Sequence, residues 1–328
     1  MNTTKAEPRH STSPAPQATT PIYLDCDPGI DDATALTFLL RTHRASLVGV
    51  GTVAGNVDAY TGACNAADLL QLAGRLDIPV AIGATRPLAG DFSGGFPHVH
   101  GEDGFGGVSL PPAALSEDAE DAIEQLINCA RRYAGRLRVV AVGPLTNLAL
   151  ALEREPALAE LLDEVFVMGG ALDVPGNVTP FAEANFWSDP EAADQVLRSK
   201  VSVTVVPLDV TMDHALTSSQ VGRMSTSADP LARSLADMLR FYGERHEALL
   251  GDAIFALHDP LTAALATHTA LISNTTNLPL RVETRGQERG ALTMGTDQTP
   301  NVRIVRTARE TAAAEILQII LMETSAHG

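Results

Sequence analysis

The sequence is poor in cysteine, aromatic residues and basic residues. Its three cysteines are an odd number without Cys-x-x-Cys spacing, which excludes a disulfide-rich scaffold and a cysteine-based zinc site. Lysine and arginine number 23 against 40 acidic residues, giving a formal charge of -17. This acidic excess argues against nucleic acid and anionic membranes as partners and favours a cation.

Long apolar runs are also absent, and none approaches the roughly 18 to 20 residues of a membrane span. Residues 1–20 are rich in Ser, Thr, Pro and Ala and lack the apolar core of a signal peptide. We therefore expect this segment to be a disordered tail and the protein to be cytoplasmic. No linker divides residues 21–328, which are expected to form one domain.

Short apolar runs alternate with stretches of helical periodicity from Pro21 onward, which predicts repeated βαβ units. The predicted strands are 22–24, 47–53, 80–82, 137–142, 165–168 and 201–206. Strands that are apolar on both faces are typical of a parallel sheet covered by helices on each side. The expected fold class is therefore α/β, with a single doubly wound, mostly parallel sheet flanked by helices. After Leu208 we expect a helical and small-strand C-terminal extension, with strands at 278–284 and 302–306.

Four carboxylates lie close together where the first strand ends and the first helix begins. They are Asp25, Asp27, Asp31 and Asp32. Such a concentration of negative charge is costly unless a cation compensates it, and carboxylate oxygens suit calcium or magnesium. The spacing is not that of an EF-hand. A structural explanation is also open, in which one aspartate caps the helix and the others are solvated.

Further polar residues follow later strands or begin later helices. They are Asn56, Asn147, Asn177, Glu183, Asn185, His258 and Asp259. Because ligands of doubly wound sheets bind at the carboxyl ends of the strands, these residues are candidates for binding sugar hydroxyls or a metal. Asparagine is also common in turns, and an aspartate before proline commonly caps a helix. The Gly- and Pro-rich stretch 83–112 is long enough to be a functional loop.

Several motifs in this order resemble those of the inosine-uridine-preferring nucleoside hydrolase family. They are Asp25 to Asp32, Gly55-Asn56, His100 to Gly104, Gly143 to Asn147, Met168 to Gly170, Gly176-Asn177, Glu183 to Asn185 and His258 to Pro260. The resemblance extends from Ile22 nearly to the C-terminus. The first and last motifs together are its most specific part. It implies that 21–328 form a nucleoside hydrolase domain.

The resemblance implies calcium-dependent hydrolysis of the N-ribosidic bond of uridine, inosine or both, giving ribose and a free base. By similarity, the metal ligands are Asp27, Asp32, Asp259 and the main-chain carbonyl of Val142. The residues that would bind ribose are Asp31, Asn56, Asn177, Glu183 and Asn185. Asp27 would be the general base, His100 and His258 would face the nucleobase, and His258 is the candidate acid for the leaving group. A homo-oligomer, either a dimer or a tetramer, is also implied.

The preferred base stays open at this stage. Purine-cleaving relatives present aromatic and basic side chains at positions that correspond approximately to His246 and Leu250. Two other functions are also compatible with parts of the sequence. A magnesium-dependent phosphatase of the haloacid-dehalogenase type would use Asp25 as its nucleophile. A protein that binds calcium or a nucleoside without catalysis would not require Asp27.

Overall fold

The computed structural model describes residues 19–115, 121–250, 253–296 and 302–322. Of the predicted disordered tail, residues 1–18 lie outside the described residues, and Thr20 already belongs to the first strand. None of the helices in the described segments combines the length and apolar character needed to cross a bilayer.

The first half of the chain alternates strands with helices. Its elements are β1 (Thr20–Cys26), α1 (Ile30–Arg41), β2 (Ala45–Thr52), α2 (Ala59–Leu72), β3 (Val80–Ile82), α3 (Pro97–His100), α4 (Ala122–Arg132), β4 (Leu137–Ala141), α5 (Thr146–Arg154), α6 (Leu158–Leu161) and β5 (Leu162–Met168). The carboxylates of Asp58 and Asp121 cap α2 and α4 by accepting hydrogen bonds from backbone N–H groups of the first turn.

The second half is richer in helix. Its elements are α7 (Ala184–Ser188), α8 (Pro190–Leu197), β6 (Val203–Val206), α9 (Leu208–Thr211), β7 (Ala215–Leu216), α10 (Ser218–Ser225), α11 (Pro230–Leu250), β8 (Phe255–Ala256), α12 (His258–Ala266), β9 (Ile272–Leu278), β10 (Leu280–Val282), β11 (Leu292–Met294), β12 (Val302–Ala308) and α13 (Ala312–Ile320).

Eight strands form one sheet in the order β3-β2-β1-β4-β5-β6-β12-β9. All neighbours are parallel except β9, which runs antiparallel to β12. The predicted fold class is confirmed. The C-terminal strands β12 and β9 extend this same sheet, and the predicted strand 278–284 is divided at Pro279, which has no N–H to donate to a sheet.

The sheet separates two apolar cores. Because side chains alternate along a strand, Leu24 of β1 faces one core with Phe38 and Leu261, whereas Tyr23 faces the other. The central strand β1 is buried from Pro21 to Cys26. Helices α1 and α12 pack against each other on one face of the sheet. This packing brings the beginning of α1, at the carboxyl end of β1, near the beginning of α12.

Candidate active site

The turn between β1 and α1 is held by a carboxylate from the first turn of α1. We refer to Asp27, Pro28 and Gly29 as the acid turn. The Asp32 carboxylate accepts hydrogen bonds from the N–H of Gly29 at 2.9 Å and of Asp27 at 3.1 Å. It also accepts one from Asn56 Nδ2 at 3.1 Å. Helix capping therefore explains part of the role of Asp32 but not the burial of its neighbours.

Three carboxylates converge beside this turn. Asp31, Asp32 and Asp259 each place an oxygen within 4.8 Å of the others, and this group could hold a metal ion. Asp32 and Asp259 are buried, with 1% and 2% of their surfaces exposed. Asp259 does not cap α12, because that helix already begins at His258 after Leu257. Its carboxylate is therefore placed in the first helical turn, where it joins the acidic group.

The electrostatics of the group favour a cation. Burial, followed by the charge of Asp32, raises the pKa of Asp31 to about 8 and the pKa of Asp27 well above its ordinary value. Burial and the charge of Asp31 also raise the pKa of Asp259. Asp27 Oδ1 and Asp31 Oδ1 are buried without a hydrogen-bond partner among the described residues. Hard oxygen donors in this state fit calcium or magnesium, which would supply the missing positive charge.

The Asp27 carboxylate lies between two glycines. Its Oδ2 accepts a hydrogen bond from the N–H of Asn56 at 2.6 Å. A Cβ atom on Gly55 would lie 2.0 Å from Oδ2, and one on Gly143 would lie 2.7 Å from Oδ1. Both contacts are far inside van der Waals distance, so the glycines allow the backbone to approach the carboxylate closely.

Gly55→Ala is expected to displace the Asp27 carboxylate and to lower kcat by about 10-fold or more on the nucleosides that the sequence resemblance implies, since small displacements of reacting groups are costly. Steady-state kinetics would measure the change. Gly222→Ala is the matched control, because a Cβ there meets nothing within 4 Å. Equal kcat values for both variants and the parent protein would contradict the close-contact argument.

The loop after β5 and the short helix α7 bring amides and a carboxylate to the same edge of the sheet. Glu183 is buried and accepts hydrogen bonds from the N–H groups of Gly170 at 2.8 Å and Asn185 at 2.9 Å. Asn185 Nδ2 donates to the Val142 carbonyl at 2.8 Å. Asn177 is exposed and its Oδ1 accepts from the N–H of Ala184 at 2.9 Å.

The lone tryptophan of the sequence lies on α7, next to these amides. The ring centroid of Trp187 is 6.3 Å from that of Phe96, with the planes tilted by 58°. Phe96 belongs to residues 96–107, which we call the His100 loop. The contact therefore connects α7 with the loop that carries a candidate base-binding histidine.

Both candidate histidines are buried near the acidic group. His100 Nδ1 accepts a hydrogen bond from the N–H of Ile30 at 3.2 Å and lies 3.9 Å from Asp31 Oδ1. Nδ1 therefore acts as an acceptor, and in the neutral ring the proton is on Nε2. His258 Nδ1 is 2.7 Å from the hydroxyl of Thr211.

Tyr242 of α11 also belongs to this neighbourhood, although nothing in its local sequence distinguishes it from a core residue. Its ring centroid is 5.7 Å from that of His100. Burial raises its pKa, and the charges of Asp31 and Asp259 raise it further. In the sequence, a tyrosine within the apolar pattern of a helix is indistinguishable from a core residue. Only its tertiary contact with His100 shows that Tyr242 lies at the site. The side chains of His246 and Leu250, where the sequence differs from purine-cleaving relatives, lie outside the described residues.

Asp25 is held apart from the acidic group by a different partner. Its Oδ1 accepts a hydrogen bond from Asn147 Nδ2 at 2.7 Å, and burial raises its pKa to about 7. Asn147 Nδ2 also donates to the carbonyl of Thr52, and its Oδ1 accepts from Ala84 N–H. This arrangement joins the ends of β1 and β2 to the segment after β3. It does not support Asp25 as the nucleophile of a phosphatase.

Comparisons with known proteins identify close similarity to one family. Residues 22–315 match the family described as inosine-uridine preferring nucleoside hydrolase. The chain is 36% identical over 267 residues to uridine nucleosidase 1 of Arabidopsis thaliana, covering 81% of this chain and 79% of that protein. It is 37% identical over 277 residues to the pyrimidine-specific ribonucleoside hydrolase RihA of Shewanella woodyi, covering 84% and 88%.

Solved structures show the same likeness across nearly the whole chain. A plant nucleoside hydrolase, PpNRh1, superposes with a TM-score of 0.88 at 31% identity, covering 93% of this chain and 99% of that chain. A purine-preferring ribonucleoside hydrolase from Gardnerella vaginalis gives a TM-score of 0.87 at 29% identity, covering 92% and 98%.

Proposed function

Because this chain belongs to the inosine-uridine preferring nucleoside hydrolase family and hydrolyses the N-glycosidic bond of ribonucleosides, we propose that it is a calcium-dependent enzyme whose main substrate is uridine. The observation that carries the metal requirement is the cluster of the Asp31, Asp32 and Asp259 carboxylates. Asp31 Oδ1 in this cluster and Asp27 Oδ1 beside it are buried without a hydrogen-bond partner among the described residues. The names of the two sequence relatives above, which specify uridine and pyrimidine, support the base preference.

The residues present fit the metal. Asp27, Asp32, Asp259 and the Val142 carbonyl are the proposed ligands, and Asp31 completes the acidic group. The Val142 oxygen already accepts one hydrogen bond from Asn185, and a carbonyl oxygen has a second lone pair. When bound, calcium would help to orient the ribose hydroxyls and a water and would lower the pKa of that water.

Asp27 is the proposed general base. Its Oδ2 is fixed by the N–H of Asn56, whereas its buried Oδ1 can receive a proton from the attacking water. The ribose hydroxyls would be held by Asp31, Asn56, Asn177, Glu183 and Asn185. Cleavage of the C–N bond develops positive charge on the sugar, which the surrounding carboxylates stabilise.

His258, at the start of α12, is the proposed proton donor to the departing base. His100 would contact the base from the His100 loop. As the imidazolium, His258 would donate its Nδ1–H to the Thr211 hydroxyl oxygen and give its Nε2 proton to the departing base, which leaves a neutral imidazole.

His258→Ala is expected to slow uridine hydrolysis by about 10²-fold, the effect of removing one proton-transfer group. Hydrolysis of p-nitrophenyl riboside should change little, because p-nitrophenolate leaves without a proton. His268→Ala, which removes a histidine beyond the other end of α12, is the control and should leave both rates unchanged. Equal slowing of both substrates by His258→Ala would argue for a positioning role instead.

The substrate proposal is tested with uridine, cytidine, inosine, adenosine and guanosine, followed by chromatography of the released base. We expect the highest kcat/KM for uridine, and a higher value for inosine would contradict the base preference. Binding of nucleosides without release of any base would support the binding-only alternative, which the intact Asp27 disfavours.

We also propose a homo-oligomer, either a dimer or a tetramer, as the family resemblance implies, and a cytoplasmic location. Size-exclusion chromatography with light scattering would measure the oligomeric state, and a monomer at micromolar concentration would contradict this proposal. Cell fractionation with an antibody would test the location.

A further inference from the structure

One asparagine on α2 joins two loops of the candidate site. Asn65 Nδ2 donates hydrogen bonds to the carbonyl of Pro28 at 3.1 Å and to the carbonyl of Asp103 at 2.8 Å. A side-chain amide has two N–H hydrogens, so a single nitrogen can serve both acceptors. Pro28 is in the acid turn and Asp103 is in the His100 loop. Asn65 therefore connects the segment that carries Asp27 with the segment that carries His100.

The two loops meet tightly at this point. A Cβ atom on Gly104 would lie 2.8 Å from the Pro28 carbonyl oxygen and 2.9 Å from Asn65 Nδ2, and Gly104 has a φ of +83°. The contact therefore requires glycine both for space and for backbone conformation. Close approach without a side chain in between lets the Asn65 amide reach both carbonyls.

The His100 loop is also held together internally. The Asp103 carboxylate accepts hydrogen bonds from the N–H groups of Phe105 at 3.0 Å and Gly107 at 3.1 Å. The carbonyl of His100 accepts one from the N–H of Gly106 at 2.8 Å. Because these bonds make residues 100–107 one connected unit, a contact at Asp103 also fixes the place of His100.

We propose that Asn65 is a positioning residue that holds the His100 loop against the acid turn and thereby sets the position of His100 relative to the substrate base. The inference rests on the proposed base-side role of His100. Asn65 reaches neither the acidic group nor the substrate in this role. Asn65 acts through the His100 loop. Its replacement is therefore expected to change the contact between His100 and the base.

Asn65→Asp is the sharpest variant, because it keeps the size of the side chain but replaces the donor by a carboxylate facing two carbonyl oxygens. We expect kcat/KM for uridine to fall about 10-fold to 100-fold, as for other small displacements of binding groups. The rate on p-nitrophenyl riboside should fall less than about 3-fold, because that substrate has no nucleobase for His100 to contact. A loss of equal size on both substrates would overturn the proposal.

Gln71→Glu is the matched control on the same helix. Gln71 Nε2 donates to the Pro112 carbonyl at 2.8 Å, which is an amide-to-carbonyl bond outside the His100 loop. The control should leave both rates unchanged, because it alters a bond of the same kind that does not touch the His100 loop. If it reproduces the uridine-selective loss, the effect belongs to α2 in general and the proposal is wrong.

A double-mutant cycle with His100→Ala decides whether Asn65 acts through His100. We expect Asn65→Asp to add almost nothing to the loss on uridine already caused by His100→Ala, since the two changes affect one interaction. Additive losses would overturn the proposal. Asn65→Ala, which removes the donor without adding charge, should behave in the same way if Asn65→Asp does not fold.

The same cycle separates this inference from the proposed function. If His100→Ala alone leaves uridine hydrolysis unchanged, the proposed base-side role of His100 fails and the inference fails with it. If His100→Ala is slow on uridine while both Asn65 variants keep the parent rate, only the positioning role of Asn65 is rejected.

Discussion

Replacing Asp27 by asparagine is expected to lower kcat for uridine by about 10³-fold to 10⁴-fold, which is near the upper range for the loss of a general base. The amide has almost the shape of the carboxylate, but it cannot accept a proton at the position of Oδ1. The N–H of Asn56 can still donate to the remaining side-chain oxygen. We therefore expect the variant to fold, and kinetics at saturating calcium would measure the loss.

The control for this variant is Asp121→Asn, because Asp121 caps α4 far along the chain from the acidic group and asparagine is also a good capping residue. Calcium affinity should be measured in parallel by titration calorimetry, since Asp27 is also a proposed metal ligand. An Asp27→Asn rate within about 10-fold of the parent rate at saturating calcium would assign the base to another group.

Removal of calcium by a chelator is expected to lower kcat/KM by more than about 10³-fold, since a metal that polarises a bound group contributes several kcal/mol to transition-state stabilisation. The melting temperature should fall as well, because a ligand that binds only the folded state stabilises it. Both effects should reverse when calcium is restored. A metal-free preparation with full activity, verified by metal analysis, would contradict the proposal.

The free energy of unfolding of the metal-free protein should also depend on pH, and the direction of this dependence can be predicted. The pKa of Asp31 is raised from 3.8 to about 8, so between about pH 4 and pH 8 the folded state binds more protons than the unfolded state. The free energy of unfolding therefore falls as pH rises through this interval. Thermal melting at pH 5 and pH 8 would measure the slope, and saturating calcium should reduce it because the cation replaces the proton. A metal-free protein that is more stable at pH 8 would contradict this sign.

The sequence predicts the parallel part of the sheet because its strands are continuous apolar runs. The antiparallel edge strand β9 was not predicted, because its residues are largely polar and exposed and give no such pattern. Similarly, β12 contains the predicted strand 302–306, but its position between β6 and β9 depends on long-range pairing. Local sequence patterns specify elements more directly than they specify neighbours.

The candidate site was predictable where several polar residues occur in one short motif. Asp27 and Asp32 belong to such a motif, whereas Tyr242 lies in an ordinary helical repeat and is recognised only through its contact with His100. Asn65 was missed for the same reason. Its role depends on hydrogen bonds to the backbone carbonyls of Pro28 and Asp103, which are distant in sequence. No local sequence pattern indicates the direction of those carbonyls.

The position of the only tryptophan has a spectroscopic consequence. Trp187 is the sole indole in the chain, lies on α7 and contacts Phe96 of the His100 loop. Intrinsic emission excited near the red edge of indole absorption would therefore come from one place in the chain, two residues after Asn185. The unmodified enzyme carries its own optical probe of this region, and stopped-flow fluorescence could follow ligand entry without an attached dye.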